Sequence, residues 1–287
     1  MLDKIKKKII GVLQKGTETL LPNKVGDLFE ELIVNKTYKD TKEKYIQLLS
    51  KNTKFEKSFI RSLINKLEII DNNIKCAHGP FELYLMQASL LALDLKGPVL
   101  ELGCYKGGST AKLSLICNLT GRELHAFDSF EGLPPPSELD VKHNFIPWIS
   151  TKKTVHYTCG SYAGSLEEVK SNVSKYGNID SCSFYKGFFE ETLPNFSQKP
   201  AFIFMDVDYI ESAKNVIKNL WPKLISGGYF FSHEALVEDY IKEISDPLWW
   251  RTEFNESPPL FYGAGYGICW RSGKYSFPSN LFYFKKN

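Results

Sequence analysis

The chain has 287 residues, of which 43% are hydrophobic and 24% charged, as in ordinary globular proteins that dissolve in water. The net charge of +3 is too small to indicate nucleic-acid binding, and the six cysteines form no CxxC pair that would hold zinc or a redox disulfide. No stretch approaches the ~18 uninterrupted apolar residues of a membrane span, and lysines interrupt the apolar residues where a secretory signal would lie. These properties predict a cytoplasmic protein with reduced cysteines and one large α/β domain with an appendage.

Residues 1–75 are rich in Lys, Glu, Leu and Ile, and their apolar residues recur at helical spacing. Examples are Phe59, Leu63, Leu67 and Ile70. We expect three or four helices that form a helical cap, followed by a main domain at 76–287. The first helix, at 2–13, is basic and amphipathic. Such a helix can lie on a membrane surface, but we expect it to pack on its own domain.

From His78 onward, apolar strands and amphipathic helices alternate. An apolar helix at 81–95 leads into a strand at Val99. Further strands are predicted at 122–128, 182–186, 201–207 and 228–232, and helices at 165–176, 211–224 and 235–245. This alternation predicts a parallel sheet with helices on both faces. Aromatic-rich runs at 249–251, 266–270 and 281–284 predict closing antiparallel strands.

Residues 134–161 show little regular pattern and begin with three prolines. A loop of this length in a compact domain is usually either functional or disordered. Its apolar and aromatic side chains, which include Phe145, Trp148 and Tyr157, favour a functional loop. We therefore expect a lid that covers a substrate.

The stretch PVLELGCYKGGS at 98–109 is the most informative part of the chain. An apolar strand ends in Glu101 and is followed by a glycine-rich turn and a helix. Glycines lie in such turns where the backbone must bend tightly and let a ligand approach. A second acid, Asp128, ends the next strand. Two acids at neighbouring strand ends can hold the polar edge of a bound nucleoside.

Two later strands also end in polar residues. Asp206 and Asp208 follow the apolar run AFIFM, and His233 and Glu234 follow GGYFFS. Because parallel strands end at one edge of a sheet, we expect Asp206, His233 and Glu234 to converge and to bind a divalent cation or act as a general base. Asp208 can instead cap the following helix.

The other histidines carry less information. His125 lies inside a strand and is expected to be structural, and His143 falls in the expected lid. His78 and His156 have no comparable context.

Four sequence motifs together resemble those of the TylF-type family of S-adenosylmethionine-dependent O-methyltransferases. This family contains macrocin, mycinamicin and novobiocin-pathway sugar methyltransferases. The four motifs are ELGCYKGGS, AFDSFEGLPPP, KGFFEETLP and FMDVDYIES…LWPKLISGGY, within about 78–234. The resemblance implies a class I methyltransferase fold, which is a Rossmann-like, mostly parallel seven-stranded sheet with an antiparallel C-terminal edge. It also implies S-adenosyl-L-methionine as cofactor, a sugar or glycosylated natural product as small-molecule acceptor, and a homo-oligomer.

The family pattern also suggests roles for individual residues. It places Glu101, Gly103 and Gly107 in the cofactor loop, Asp128 at the ribose, and Gly187 with Phe188 beside the adenine. The full predicted cofactor-binding set is Glu101, Gly103, Gly107, Ser109, Asp128, Ser129, Phe130, Gly187 and Phe188.

The catalytic set departs from the family pattern. Asp206 matches its first acid, but two consecutive aspartates of the family are replaced here by His233 and Glu234. We expect Asp206 and His233 to be catalytic, and Asp206, His233 and Glu234 to be the ligands of an optional Mg²⁺.

Three other readings remain open at this point. A nicotinamide dehydrogenase would carry GxGxxG, but Tyr105 takes the place of the second glycine. A nucleotide-sugar glycosyltransferase could use Asp206-Val207-Asp208 as a DxD metal motif, although such folds do not require the glycine turn. A non-catalytic cofactor-binding protein becomes credible if His233 and Glu234 are remnants of a lost metal site.

Overall fold

The computed structural model describes residues 42–47, 49–51, 53–75, 78, 84–91, 93–143, 146–147, 154–155, 157–265, 267–272 and 275–287. Two compact units divide the chain, Met1–Lys44 and Tyr45–Asn287, and the fold below belongs to the second. The expected helix at 2–13 lies outside the described residues, as do Phe145, Trp148 and His156. The helical cap over 1–75 therefore stays a prediction.

Ten short strands occur among the described residues. They are β1 (Val99–Leu102), β2 (Leu124–Asp128), β3 (Ile146–Pro147), β4 (Thr154–Val155), β5 (Cys182–Lys186), β6 (Phe202–Met205), β7 (Tyr229–Ser232), β8 (Cys269–Ser272), β9 (Tyr275–Pro278) and β10 (Phe282–Lys285). Six form the main sheet in the order β10-β7-β6-β1-β2-β5. All neighbours in it are parallel except β10 with β7. The predicted parallel sheet with an antiparallel C-terminal edge is confirmed.

The helices with complete bounds among the described residues are α1 (Lys57–Asn73), α2 (Tyr84–Leu91), α3 (Gly108–Thr120), α4 (Glu138–His143), α5 (Leu166–Tyr176), α6 (Phe189–Thr192), α7 (Ile210–Leu220), α8 (Glu238–Ile244) and α9 (Pro247–Phe254). Helix α7 shows why they form. Its buried residues recur at helical spacing, and Lys214 on the same helix pairs with Glu243 of α8 at 2.8 Å. Among the described helices, none is both long enough and apolar enough to cross a lipid bilayer.

The sheet is covered on both faces, because alternate residues of a strand point to opposite sides. In β6, Phe202 and Phe204 pack in one buried cluster with residues of α1, α2 and α3. Ile203 and Met205 pack in another with α7, α8 and α9. Helix α1 is further tied to α3 by an ion pair between Asp71 and Lys112. The helices thus leave the carboxyl ends of the strands as a shared edge.

The seven strands implied by the resemblance are not confirmed. Beyond β10, the described residues add only one antiparallel bridge, between Tyr262 and Tyr283. Each of these two residues donates its N–H to the carbonyl of the other, at 2.8 and 3.0 Å. Pro258 and Pro259 come shortly before the bridge and have no N–H to donate. The sheet is therefore extended by one residue pair at this edge.

The strand expected at 249–251 is wrong, because these residues belong to helix α9. The carboxylate of Asp246 accepts the N–H of Leu248 at 2.8 Å, and Pro247 occupies the first helical position. This combination initiates a helix whatever the aromatic content that follows. The strand expected at 266–270 is partly confirmed as β8, which pairs with β9 in a separate hairpin.

Candidate active site

The glycine turn brings two strand ends into close contact. Gly103 follows β1 with a φ of 92°, and a Cβ at this position would collide with the carbonyl oxygen of Asp206. Only glycine fits both requirements. The turn is therefore needed for packing between the ends of β1 and β6, and it places Asp206 directly beside the loop.

Asp128 holds the loop in this shape. Its Oδ2 accepts the N–H groups of Cys104 and Tyr105 at 2.6 and 3.3 Å, and its Oδ1 accepts that of Phe130 at 2.7 Å. Burial raises the pKa of Asp128, and the three backbone donors oppose that rise. The Asp128 carboxylate, which is expected to accept hydrogen bonds from the ribose, thus already accepts three from the main chain.

Glu101 lies behind the loop and is fully buried. Burial raises its pKa to about 8, and the hydroxyls of Ser109 and Thr110 partly offset the rise. The side chain does not reach the cavity described below. Glu101 therefore contributes to the contact between β1 and α3 and not to the cavity wall.

A cavity of about 540 Å³ opens at the carboxyl ends of the strands. Among the predicted cofactor-binding residues, those on its wall are Gly103, Asp128, Ser129, Gly187 and Phe188. Those that do not line it are Glu101, Gly107, Ser109 and Phe130. Asp206, Asp208, His233 and Glu234 form the other part of the wall. The predicted nucleoside side and the predicted reacting side thus share one cavity.

Asp206 lies between two imidazoles. Its Oδ1 is 3.2 Å from His233 Nδ1, and its Oδ2 is 2.9 Å from His78 Nε2. The two rings meet edge to face, with centroids 4.6 Å apart. Burial alone would raise the pKa of Asp206, but the two imidazoles together bring it below its usual value. The predicted convergence of Asp206 and His233 is present in the structure.

His78 is the residue that sequence reasoning missed. It lies between α1 and α2, away from any strand end, so neither spacing nor a neighbouring acid singled it out. Only the tertiary fold brings it to Asp206, 128 residues later in the chain.

Glu234, which is buried, and Asp208, which is half-buried, are two further acids beside this cluster. Glu234 Oε1 is 3.4 Å from His233 Nδ1. Burial raises the pKa of Asp208 well above its usual value, and Glu234 and Asp206 add to the rise, whereas a hydrogen bond with Tyr157 opposes it. Burial also raises the pKa of Glu234. The proximity of these acids makes each harder to ionise.

The alternative role for Asp208 as a helix cap is wrong. Helix α7 has Tyr209 at its N-cap and receives no side-chain hydrogen bond from it. Instead, Asp140 Oδ1 accepts the N–H groups of Ile210 and Glu211, at 2.8 and 3.4 Å. Asp208 is thereby left to face the cavity.

The two ends of the expected lid are bonded to each other. Leu133 N–H donates to Ser161 O and Gly160 N–H to Leu133 O, both at 2.9 Å. Pro134, Tyr157 and Ser161 line the cavity. Between these ends, β3 and β4 pair in antiparallel fashion. The lid function itself stays a prediction.

Comparison with known proteins agrees with this geometry. The model of the macrocin O-methyltransferase family, TylF, matches residues 82–271. A Streptomyces olivaceus protein named 8-demethyl-8-(2,3-dimethoxy-alpha-L-rhamnosyl)-tetracenomycin-C 4'-O-methyltransferase is 28% identical over 188 residues, which are 64% of this chain and 69% of that protein. The demethyldecarbamoylnovobiocin O-methyltransferase of Streptomyces niveus is also 28% identical over 188 residues, 62% of this chain and 67% of the relative.

A solved structure agrees at the level of the fold. The O-methyltransferase NovP superposes with a TM-score of 0.52 and 21% identity, covering 82% of each chain. The family match identifies a methyltransferase and so excludes the dehydrogenase and glycosyltransferase alternatives. With a class I methyltransferase sheet, a shared cavity and a family match over residues 82–271, the chain belongs to the macrocin O-methyltransferase family.

Proposed function

We propose that the protein transfers a methyl group from S-adenosylmethionine to a hydroxyl of a sugar or of a glycosylated natural product. The observation that carries this proposal is the family match over residues that form both parts of the cavity wall. The two curated relatives are named as O-methyltransferases, and one name includes a rhamnosyl group. A glycoside acceptor is consistent with these names.

The cavity fits such a cofactor. A volume of about 540 Å³ lies in the range of small-molecule sites. S-adenosylmethionine, when bound, supplies a methyl group on a sulfonium centre. We assign Ser129 and Asp128 to the ribose side and Gly187 with Phe188 to the adenine side. Asp128 also fixes the loop through its bonds to Cys104 and Tyr105.

Aromatic side chains form the acceptor side in this proposal. Tyr162 meets Tyr105 and Tyr157 edge to face, with ring centroids 5.6 and 5.8 Å away. All three line the cavity. Flat rings with polar tips can pack against a sugar ring and bond its hydroxyls. They would hold the acceptor hydroxyl near Asp206 and His233.

The acceptor hydroxyl must lose its proton as it attacks. We propose Asp206 and His233 as the catalytic pair. Asp206 Oδ1 orients the imidazole of His233 through Nδ1, at 3.2 Å, and the imidazole accepts the proton. The lowered pKa of Asp206 makes its carboxylate a weak base but a good partner for a cationic imidazole. Asp208 is a second candidate base, supported by its raised pKa and its place on the cavity wall.

Methyl transfer can be tested directly. The protein is incubated with S-adenosylmethionine that carries a labelled methyl group, together with rhamnosyl glycosides and their aglycones. Label in the glycosides but not in the aglycones is expected. The proposal fails if adenosylhomocysteine does not bind in calorimetry, and its acceptor part fails if only the aglycones are labelled.

The dependence on Mg²⁺ is tested by chelation. The sequence predicts Asp206, His233 and Glu234 as ligands of an optional Mg²⁺, so activity should persist in EDTA when His233 acts as the base. Complete loss that added metal restores would instead make His233 a ligand and leave Asp208 as the base.

We further propose that the enzyme works in the cytoplasm as a homo-oligomer. Among the described residues, Cys104, Cys117, Cys159 and Cys182 are free thiols. This state is typical of a reducing compartment. Light scattering on the purified protein would give the number of subunits.

A further inference from the structure

We propose that His78, Asp206 and His233 form a binding site for a divalent first-row transition metal, such as Co²⁺ or Zn²⁺, in preference to Mg²⁺. The three side chains each offer one ligand atom, and these atoms all lie within 4.8 Å of one another. His78 comes from the segment between α1 and α2, whereas Asp206 and His233 follow β6 and β7. The site therefore includes His78, a residue that does not follow a strand of the sheet.

The spacing of the ligand atoms suits a cation. Two ligands about 2.1 Å from a metal are about 3.0 Å apart at right angles and about 3.4 Å apart at the tetrahedral angle. The Asp206 oxygens lie 2.9 Å from His78 Nε2 and 3.2 Å from His233 Nδ1. A metal could thus bind between these atoms with small side-chain movements, in place of the direct contacts that now join them.

The charge of the cavity also calls for a cation. Asp206, Asp208 and Glu234 lie on its wall, and the part of the chain that the structure describes places no lysine or arginine there. Acids held this close together repel one another when they are ionised. A bound divalent ion would let them stay ionised side by side.

The ligand chemistry decides which metal is preferred. Imidazole nitrogens suit Zn²⁺, Fe²⁺, Co²⁺ and Ni²⁺, whereas Mg²⁺ requires oxygen ligands in a near-ideal octahedron. Two of the three ligands here are imidazoles. Glu234, whose Oε1 is 3.4 Å from His233 Nδ1, is close enough to add a carboxylate without changing this balance. The proposal deepens the proposed function, since the cluster lies at its reacting side: with the metal bound, His233 is a ligand and Asp208 is the candidate base. Metal binding is measured without cofactor or acceptor.

The test is calorimetric titration of the metal-stripped protein with Co²⁺, Zn²⁺ and Mg²⁺, combined with the visible absorption spectrum of bound Co²⁺. Co²⁺ and Zn²⁺ should bind at least ~10-fold more tightly than Mg²⁺, as nitrogen ligation implies. His78→Ala should weaken Co²⁺ binding by ~10-fold or more and change the Co²⁺ spectrum. His233→Asp, which replaces an imidazole by a carboxylate, should shift the preference toward Mg²⁺.

His125→Gln is the matched control, because this buried histidine bonds Tyr185 at 2.9 Å inside the sheet and should leave metal affinity unchanged. Circular dichroism would show which variants are folded, and the wild-type Co²⁺ spectrum tests nitrogen ligation even if His78→Ala does not fold. The proposal is overturned if no metal binds, if Mg²⁺ binds as tightly as Co²⁺, or if folded His78→Ala binds Co²⁺ like the wild type. Each of these results would leave methyl transfer itself untouched.

Discussion

Asp140 caps a helix that begins seventy residues later in the chain, by accepting the N–H of Ile210 at 2.8 Å. The carboxylate is buried, with 4% of the residue exposed. Its second oxygen accepts the hydroxyl and the N–H of Ser137 at 2.6 and 3.1 Å. One side chain therefore joins α4, at the start of the expected lid, to α7, which follows the strand end that carries Asp206.

Replacing Asp140 by alanine should lower the free energy of unfolding by about 1–2 kcal/mol, the usual cost of losing an N-terminal cap. The N–H of Ile210 would lose its buried acceptor, which places the loss at the high end of that range. Urea unfolding would measure the effect. Glu138→Ala, at an exposed position of α4, is the control. Equal stability of the two variants would contradict the capping role.

Replacing Asp128 by alanine should weaken both folding and cofactor binding. Three backbone donors would lose a charged acceptor worth about 1.5–3 kcal/mol per hydrogen bond. Asp128→Asn keeps one acceptor oxygen and should be intermediate. Thermal unfolding without ligand and calorimetry with adenosylhomocysteine give the two readouts. If alanine weakened cofactor binding without lowering the unfolding temperature, Asp128 would act on the ribose and not on the loop.

Stability should depend on pH through Glu101. Its pKa is about 8 in the folded protein and 4.5 when unperturbed, so the folded state keeps a proton that the unfolded state loses. Stability should therefore fall as pH rises from 4.5 to 8, by about 1.4 kcal/mol for each unit of pKa difference.

Glu101→Gln removes this titration and should flatten the pH dependence measured by urea unfolding, with its largest gain over the wild type above pH 8. The exposed Glu167→Gln, on α5, serves as the control and should follow the wild-type curve. A Glu101→Gln profile parallel to that of the wild type would show that Glu101 is already ionised in the folded protein.

Tyr157→Phe should change the pH profile of methyl transfer. The phenol donates a hydrogen bond that lowers the pKa of Asp208, so its removal should raise that pKa further. If Asp208 accepts the proton from the acceptor, activity is lost as pH falls through its pKa. The acid limb of kcat/KM should then move to higher pH. Tyr162→Phe, at a neighbouring position of the wall, is the comparison, and an unmoved limb in Tyr157→Phe would exclude Asp208 as the base.

The sheet and its edge could be predicted from sequence because their signals are local. The predicted bounds of the strand at 182–186 agree with the structure at both ends. Asp206 and His233, which follow two neighbouring strands, lie close together as predicted. Each signal is contained in a few consecutive residues. The rule that parallel strands share one edge then assembles them.

Features that depend on tertiary contacts could not be predicted in this way. His78 reaches Asp206 only through the packing of α1 and α2, and the cap of α7 comes from Asp140 instead of the nearer Asp208. The helix at Pro247–Phe254 was missed for a different reason. Its capping signal, Asp246 followed by proline, is present in the sequence, but the aromatic residues that follow it are typical of a strand.

Gly103 gives the site an unusual dependence on a residue without a side chain. A Cβ there would strike the backbone carbonyl oxygen of Asp206, so the loop and the end of β6 are in direct backbone contact. A side chain at position 103 would have to push apart the loop and the residue that contacts both imidazoles. One substitution would therefore disturb both walls of the cavity at once.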